Sequence, residues 1–215
     1  MNFFGHAVVA TWRSTRPAFV LGAMLPDFAT MLGTRPPNVE GDDLTSGVSF
    51  HHETDRVFHD APTFRRLQLE ARRTLREMGL PRPSALAVGH IGVEILLDAT
   101  LAEDDRAVAA YLAALAGARD EDVARRIAWS DDPLRESFAA LSSALHDRGV
   151  TPATRSVERA AFRVTRALES RPRLRLTAGG SAIVRDWAAL AERSVAEAAG
   201  ALVAELRHGL ALAER

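Results

Sequence analysis

The sequence contains the stretch Ala85-Leu86-Ala87-Val88-Gly89-His90-Ile91-Gly92-Val93-Glu94-Ile95-Leu96-Leu97-Asp98. A helix that is apolar nearly all round is buried, so this stretch predicts a core helix. His90, Glu94 and Asp98 interrupt it at intervals of four residues, which places them on one stripe of that helix. A buried carboxylate without a partner is strongly unfavourable or becomes neutral. The two acids therefore need a partner, which is either an arginine or a bound divalent cation.

Apolar residues recur at helical spacing along the rest of the chain, and alternating strand-like runs are almost absent. This pattern predicts an all-α protein without strands. We expect helices over 3–12, 17–24, 47–60, 62–78, 84–102 and 181–213, with a surface loop over 33–46. Pro26 and Asp27 are expected to interrupt the second helix, and further breaks are expected near Gly117, Asp131 and Gly149.

The composition limits the kinds of protein that this chain can be. Its 215 residues are 47% hydrophobic and 26% charged, which is typical of one compact multi-helix domain. The 28 acidic and 27 basic residues nearly cancel, so nucleic acid is not an expected partner. Neither a signal peptide nor a membrane span is expected, which favours a cytoplasmic location. Without cysteine, any metal ligands must be His, Asp or Glu.

A second set of ligand-type residues has the same spacing as the first. His51, Asp55 and His59 are four residues apart, so a helix carries all three on one stripe. His52 points about 100° away from His51 on a helix, so only one of the two shares the face of Asp55. The regular spacing favours His51. The alternative interpretation of this stripe is an exposed polar face.

Two further ligand candidates lie upstream, namely His6 in an apolar helix and Asp27 beside Pro26. Each has an ordinary structural explanation, since a lone histidine is often a core residue and Asp27 could cap a helix turn. Together the candidates form a His and carboxylate set on apolar helices. Such a set predicts a divalent cation, with Mn, Zn or Fe as the suitable ions. The predicted ligands are His6, Asp27, His51, Asp55, His90, Glu94 and Asp98. Residues 1–103 are thus the predicted metal-site half, and 104–215 are a helical scaffold half that could also form a homo-oligomer surface.

Three segments resemble the acyl carrier protein phosphodiesterase family, a divergent branch of helical, HD-type metal phosphohydrolases. They are Met1-Asn2-Phe3-Phe4-Gly5-His6, Leu21-Gly22-Ala23-Met24-Leu25-Pro26-Asp27-Phe28, and residues 51–60 followed by Ala61-Pro62. The resemblance covers about the first 103 residues. It implies an HD-like helical bundle with a metal site between helices. His51 and Asp55 fall on the family's His and Asp.

The chain also departs from the family pattern. His59 stands where the family has a second Asp, Glu94 replaces an Asp, and Ala99 stands where the family has a His. His90 is an addition. The Gly-Ala-x-x-Pro-Asp turn and the helix with His90, Glu94 and Asp98 also look like the bacterial zinc-dependent phospholipase C group.

The resemblance and the ligand set predict a metal-dependent phosphodiesterase, with phosphopantetheine on acyl carrier protein as the leading substrate. Asp55, His52 and His59 are the predicted catalytic residues because they could orient or deprotonate water. No Gly-rich phosphate loop and no G-x-S-x-G motif is present in the sequence, which leaves water as the attacking group. The alternatives are a zinc-dependent phospholipase C-like hydrolase and a non-enzymatic helical interaction protein with a structural polar cluster.

An arginine-rich segment follows the second ligand set. Arg65 and Arg66 are its first members and the predicted substrate-binding residues, because arginine forks bind carboxylates and phosphates. An acidic acyl carrier protein is the expected partner. The alternative is an exposed helix face whose arginines pair with acids on the same helix.

Overall fold

The apolar spacing of the sequence forms helices in the computed structural model, which describes residues 1–169 and 171–211. Within those residues the α-helices are α1 (Phe3–Thr11), α2 (Pro17–Met31), α3 (Asp42–Asp60), α4 (Pro62–Glu77), α5 (Arg82–Leu101), α6 (Asp105–Gly117), α7 (Glu121–Arg125), α8 (Asp132–Arg148), α9 (Val157–Glu169) and α10 (Ala178–Gly209). A 3₁₀ turn covers Pro152–Arg155. The predicted all-α class is confirmed.

The residues group into two compact units, each built from two separate segments of the chain. Unit 1 comprises Met1–Arg56 and Asp104–Val150, and unit 2 comprises Val57–Glu103 and Thr151–Arg215. Both units draw on both of the predicted halves, 1–103 and 104–215. The assignment of those halves to a metal site and a scaffold stays a prediction.

Unit 1 is built around α2 and α6. Helix α1 packs against both of them, α2 packs against α6, and α6 also packs against α8. Val8, Leu21, Phe28 and Leu115 are almost completely buried in this core. The strands β1 (Asn38–Val39) and β2 (Ile127–Ala128) form one antiparallel pair. Sequence reasoning missed it because two-residue strands leave no alternating pattern.

Unit 2 is built around α10, which packs against α4, α5 and α9, while α5 also packs against α4 and α9. Trp187 of α10 is buried and lies over Gly92 of α5. A Cβ atom at Gly92 would lie 2.5 Å from the Trp187 ring, so only glycine allows this approach. Glu205 of α10 also accepts hydrogen bonds at the start of α4, from the backbone nitrogen of Thr63 at 3.0 Å and from its hydroxyl at 2.7 Å.

Pro26 does not end the second helix, and the predicted interruption there is wrong. Helix α2 continues through Pro26 to Met31. The proline removes one backbone donor, which would have bonded to the Gly22 carbonyl oxygen. The complete burial of Leu25 and Phe28 on either side of it offsets this loss.

The predicted boundaries of two other helices also differ from the structure. Helix α3 begins at Asp42 instead of residue 47, since Asp42 and Asp43 favour a helix start through the helix dipole. Helix α10 begins at Ala178 instead of residue 181, after the Thr177 side chain accepts a hydrogen bond from the Gly180 nitrogen. It ends at Gly209, and the predicted end at residue 213 lies outside the described residues.

Helix α5 is the one described helix that is long and apolar enough to span a bilayer by length and composition. Of its most apolar window, 67% is buried among other helices. It also carries Glu94 and Asp98 in its buried surface. The core helix of a folded domain meets the same criteria of length and apolar composition, so the cytoplasmic location stays a prediction.

Candidate metal centres

Two helices of unit 1 supply the first pair of ligand-type residues. His6 lies on α1 and is 1% exposed, and Asp27 lies on α2 with a quarter of its side chain exposed. The side chain of Asn2 caps α1 by accepting hydrogen bonds from the backbone nitrogens of Phe4 and Gly5. This cap fixes the first turn of the helix that carries His6.

A close approach of two backbones brings His51 to the same place. A Cβ atom at Gly22 of α2 would lie 2.4 Å from the Leu44 carbonyl oxygen, and one at Gly47 of α3 would lie 2.2 Å from the Phe19 carbonyl oxygen. Only glycine fits at either position. His51, one turn after Gly47, then donates a hydrogen bond from Nδ1 to the Ala23 carbonyl oxygen at 2.9 Å.

His6, Asp27 and His51, here called the His6 group, each offer a ligand atom within 4.8 Å of the other two. The Nε2 atom of His6 lies 4.0 Å from Oδ2 of Asp27 and 3.5 Å from Oδ1 of Asp55. Asp55 also accepts a hydrogen bond from the Met1 nitrogen at 2.9 Å. Its side chain is 37% exposed, so the group has one buried side and one side that solvent can enter.

The chemistry of His51 matches that of a metal ligand. Burial, followed by the neighbouring His6, lowers its pKa to about 3, so the ring is neutral at pH 7. A carbonyl oxygen only accepts hydrogen bonds, so Nδ1 carries the proton. The lone pair is therefore on Nε2, the arrangement that a hydrogen bond to a carbonyl commonly enforces in metal-bound histidines.

His59, His90 and Glu94, here called the His90 group, form a second set of ligand atoms within 4.8 Å of one another, in unit 2. Oε1 of Glu94 lies 3.1 Å from Nε2 of His90 and 3.6 Å from Nε2 of His59. The two imidazole rings are stacked, with 3.3 Å between their Nε2 atoms. Glu94 is buried, whereas about a third of each imidazole side chain is exposed.

Glu94 is ionised despite its burial. Burial alone would raise the pKa of its carboxyl, but the hydrogen bonds with His59 and His90 outweigh burial and hold the pKa below its usual range. The group therefore offers a carboxylate and two imidazoles. Mixed nitrogen and oxygen ligands of this kind suit Zn, Mn and Fe.

Gln68 of α4 contacts the other ring nitrogen of His90. Nε2 of its side-chain amide lies 2.6 Å from Nδ1 of His90. An amide offers either a donor or an acceptor, depending on which way it is turned. A half-turn of the amide would place its oxygen against His90, so that Nδ1 would carry the proton and Nε2 could coordinate an ion. Sequence reasoning missed Gln68 because a single glutamine on an amphipathic helix gives no spacing signal.

Asp98 lies in an ion pair. Nη1 of Arg163 on α9 donates to Oδ2 of Asp98 at 2.8 Å. An arginine partner is one of the two alternatives that the sequence leaves open for this acid. Neither group found among residues 1–169 and 171–211 includes Asp98. Arg163 could not be foreseen, since it is 65 residues away along the chain.

The remaining predicted residues lie on exposed surface. His52 is exposed, and the adjacent Glu53 accepts a hydrogen bond from Arg13 at 3.2 Å. Arg65 pairs with Asp60 and also donates to the His59 carbonyl oxygen. Arg66 pairs with Glu70 one turn along the helix at 3.1 Å. These pairs agree with the alternative of an exposed, internally paired face, while the predicted substrate-binding role of the two arginines stays a prediction.

The comparisons with known proteins give no relative for this chain. No protein-family model, no curated protein and no solved structure matches it. The resemblance to acyl carrier protein phosphodiesterases thus rests on the quoted segments alone. The functional conclusion must come from the chemistry of the two groups.

Proposed function

We propose that this protein is a metal-dependent hydrolase of phosphate esters that acts on a phosphodiester. The observation that carries the proposal is the presence of two sets of histidine and carboxylate ligand atoms, each within 4.8 Å. The first set is the His6 group and the second is the His90 group. A bound divalent cation would lower the pKa of a water molecule and neutralise charge on phosphoryl oxygens.

Both groups have the same division of roles among their side chains. The His6 group has two buried imidazoles, and the more exposed Asp55 lies beside them. The His90 group has the buried carboxylate of Glu94, and the more exposed His59 lies beside it. The His6 group would hold one cation, and Asp55 would accept the proton of the attacking water. In the His90 group, Glu94 and His90 would hold the cation and His59 would accept the proton.

The proposed reaction needs no nucleophilic side chain. The water oxygen forms a bond to phosphorus as its proton passes to Asp55 or His59. The phosphorus–oxygen bond to one ester group breaks, and that group leaves as an alcohol after protonation. The products are a phosphomonoester and an alcohol. This scheme agrees with the absence of a nucleophile motif from the sequence.

The substrate within this class is proposed from the resemblance. Phosphopantetheine on acyl carrier protein, which is joined through a phosphodiester, is the leading candidate. A phospholipid is the second, because Asp27 of the Gly-Ala-x-x-Pro-Asp turn belongs to the His6 group, and that turn looks like the zinc-dependent phospholipase C group.

Elemental analysis coupled to a substrate panel tests the proposal. Protein purified without chelator is analysed for Mn, Zn and Fe, and is then assayed on holo acyl carrier protein, phosphatidylcholine and bis(p-nitrophenyl) phosphate. We expect a transition metal near stoichiometric amounts and cleavage of at least one diester. Protein that binds metal but cleaves no diester would indicate a metal-stabilised interaction module. Protein without metal would favour a structural polar cluster.

A further inference from the structure

Arg163 and Asp98 form an ion pair in which the aspartate is more buried than the arginine. The Asp98 side chain is 9% exposed and the Arg163 side chain is 26% exposed. The contact runs from Nη1 to Oδ2 at 2.8 Å. A guanidinium has five N–H donors in a planar fork. The buried carboxylate thus holds the arginine in position while part of the arginine side chain is accessible to solvent.

Asp98 lies directly beyond the His90 group along α5. His90, Glu94 and Asp98 are spaced by four residues and share one stripe of the helix. One such step is a rise of about 6 Å along the axis. Asp98, which holds the arginine, is therefore one helical turn further along α5 than Glu94. A phosphate group has several oxygens, so one could bind a cation at the His90 group while another accepts from the arginine.

We propose that Arg163 binds the phosphoryl oxygens of the substrate and that Asp98 is its positioning residue. This inference rests on the proposed function, whose substrate recognition it specifies. Arginine binds two phosphate oxygens at once through its fork, which lysine cannot do. Asp98 also compensates the charge of Arg163 when no substrate is bound, so the partly buried guanidinium is stable before the anion arrives.

The ligand class follows from the charges around this position. A divalent cation held by His90 and the Glu94 carboxylate would leave a net charge of about +1, and the Arg163–Asp98 pair would add none. A net positive site would attract an anion, and a phosphodiester is a monoanion. A neutral ester would gain nothing from the arginine.

Phosphate binding to the metal-loaded protein tests the inference without requiring turnover. Titration calorimetry with inorganic phosphate is performed on the wild type, on Arg163→Lys, and on the double variant Arg163→Gln/Asp98→Asn. The double variant removes both charges, so no unpaired buried acid is left to unfold the protein. Arg166→Gln is the matched control, because Arg166 lies on the same helix but pairs with Glu169 on the surface.

We expect the phosphate affinity to fall at least tenfold in the double variant and to fall also in Arg163→Lys. The metal content of these variants should equal that of the wild type. Arg166→Gln should have the phosphate affinity of the wild type. With an active substrate from the panel, KM should rise more than kcat falls. A folded, metal-loaded double variant with wild-type phosphate affinity overturns the inference and leaves a purely structural ion pair, even if the wild type is an active hydrolase. Wild-type protein that takes up no metal overturns the proposed function, and this inference with it.

Discussion

His51 donates a hydrogen bond from Nδ1 to the carbonyl oxygen of Ala23, 2.9 Å away. This contact fixes the ring orientation and leaves Nε2 as the only nitrogen that can coordinate an ion. It depends on the close approach of α2 and α3 at Gly22 and Gly47. The backbone of unit 1 therefore holds His51 as a neutral imidazole in a fixed orientation, as the proposed role of a metal ligand requires.

The low pKa of His51 predicts a pH dependence of stability in metal-free protein. The folded pKa is about 3 and the ordinary value is 6.5, so below pH 6.5 the unfolded chain binds a proton that the folded chain excludes. This contribution to stability is complete above pH 6.5 and is lost as the pH falls toward 3. The slope approaches about 1.4 kcal/mol per pH unit for one proton.

Urea unfolding at pH 7 and pH 5 in the presence of chelator measures this effect. His51→Gln should lose less free energy of unfolding between the two pH values than the wild type does. His146→Gln is the control, since His146 lies on α8 in neither ligand group. Equal pH slopes for the wild type and His51→Gln would show that the folded protein does protonate this ring.

Gly47→Ala tests whether the close approach of the two helices is required. The new methyl group would lie 2.2 Å from the Phe19 carbonyl oxygen, so the helices must separate. We expect the free energy of unfolding to fall by about 2–3 kcal/mol, because overpacking outweighs the gain in helix propensity. Gly200→Ala, on α10 with no neighbour within 4 Å, should instead be stabilising by about 0.5–1 kcal/mol. A Gly47→Ala protein as stable as the wild type contradicts the tight contact.

Gln68 should control the metal affinity of the His90 group by orienting His90. Gln68→Leu removes the hydrogen bond to Nδ1 and should weaken metal binding by about 10–100-fold. Gln68→Glu places a carboxylate acceptor there and should bind metal at least as tightly as the wild type. Competition with a fluorescent chelator measures the metal affinity of both variants. The measurement uses a His51→Gln background, so that the His90 group dominates the signal. Equal affinities for the leucine and glutamate variants would exclude this role.

Glu205 should stabilise the start of α4 in unit 2. It accepts hydrogen bonds from the backbone and the hydroxyl of Thr63, and its negative charge lies at a helix N-terminus. Glu205→Leu should lower the free energy of unfolding by about 1–2 kcal/mol. Thermal unfolding measures this effect. Glu197→Gln is the control, since Glu197 is an exposed partner of Arg193, and its free energy of unfolding should change by less than about 0.5 kcal/mol. A Glu205→Leu protein with the thermal stability of the control would mean that another group caps α4.

Much of the fold could be predicted from sequence because apolar spacing follows the helical period. The sequence predicts the core helix α5 over 84–102, and the helix occupies Arg82–Leu101. The errors arose where tertiary packing overrides a local signal. Pro26 is a helix breaker locally, but the buried residues around it keep α2 continuous. The strand pair is too short to have any signal.

The candidate site was predictable where ligands share a helix and less so elsewhere. The four-residue spacing identified His90 and Glu94, which do lie together. Spacing could not foresee the partners that other helices contribute, such as Gln68 and Arg163. It also could not distinguish an arginine partner from a cation for Asp98, since both satisfy a buried carboxylate.

Hydrolysis of bis(p-nitrophenyl) phosphate after metal removal and restoration tests the central claim most directly. The account predicts that chelator-treated protein is inactive and that Mn or Zn restores turnover to the wild type and to His146→Gln. The double variant His51→Gln/Glu94→Gln, which changes one proposed ligand in each group, should lose activity by about 100-fold. Turnover that persists in chelator-treated protein, or that the double variant retains in full, would contradict the account.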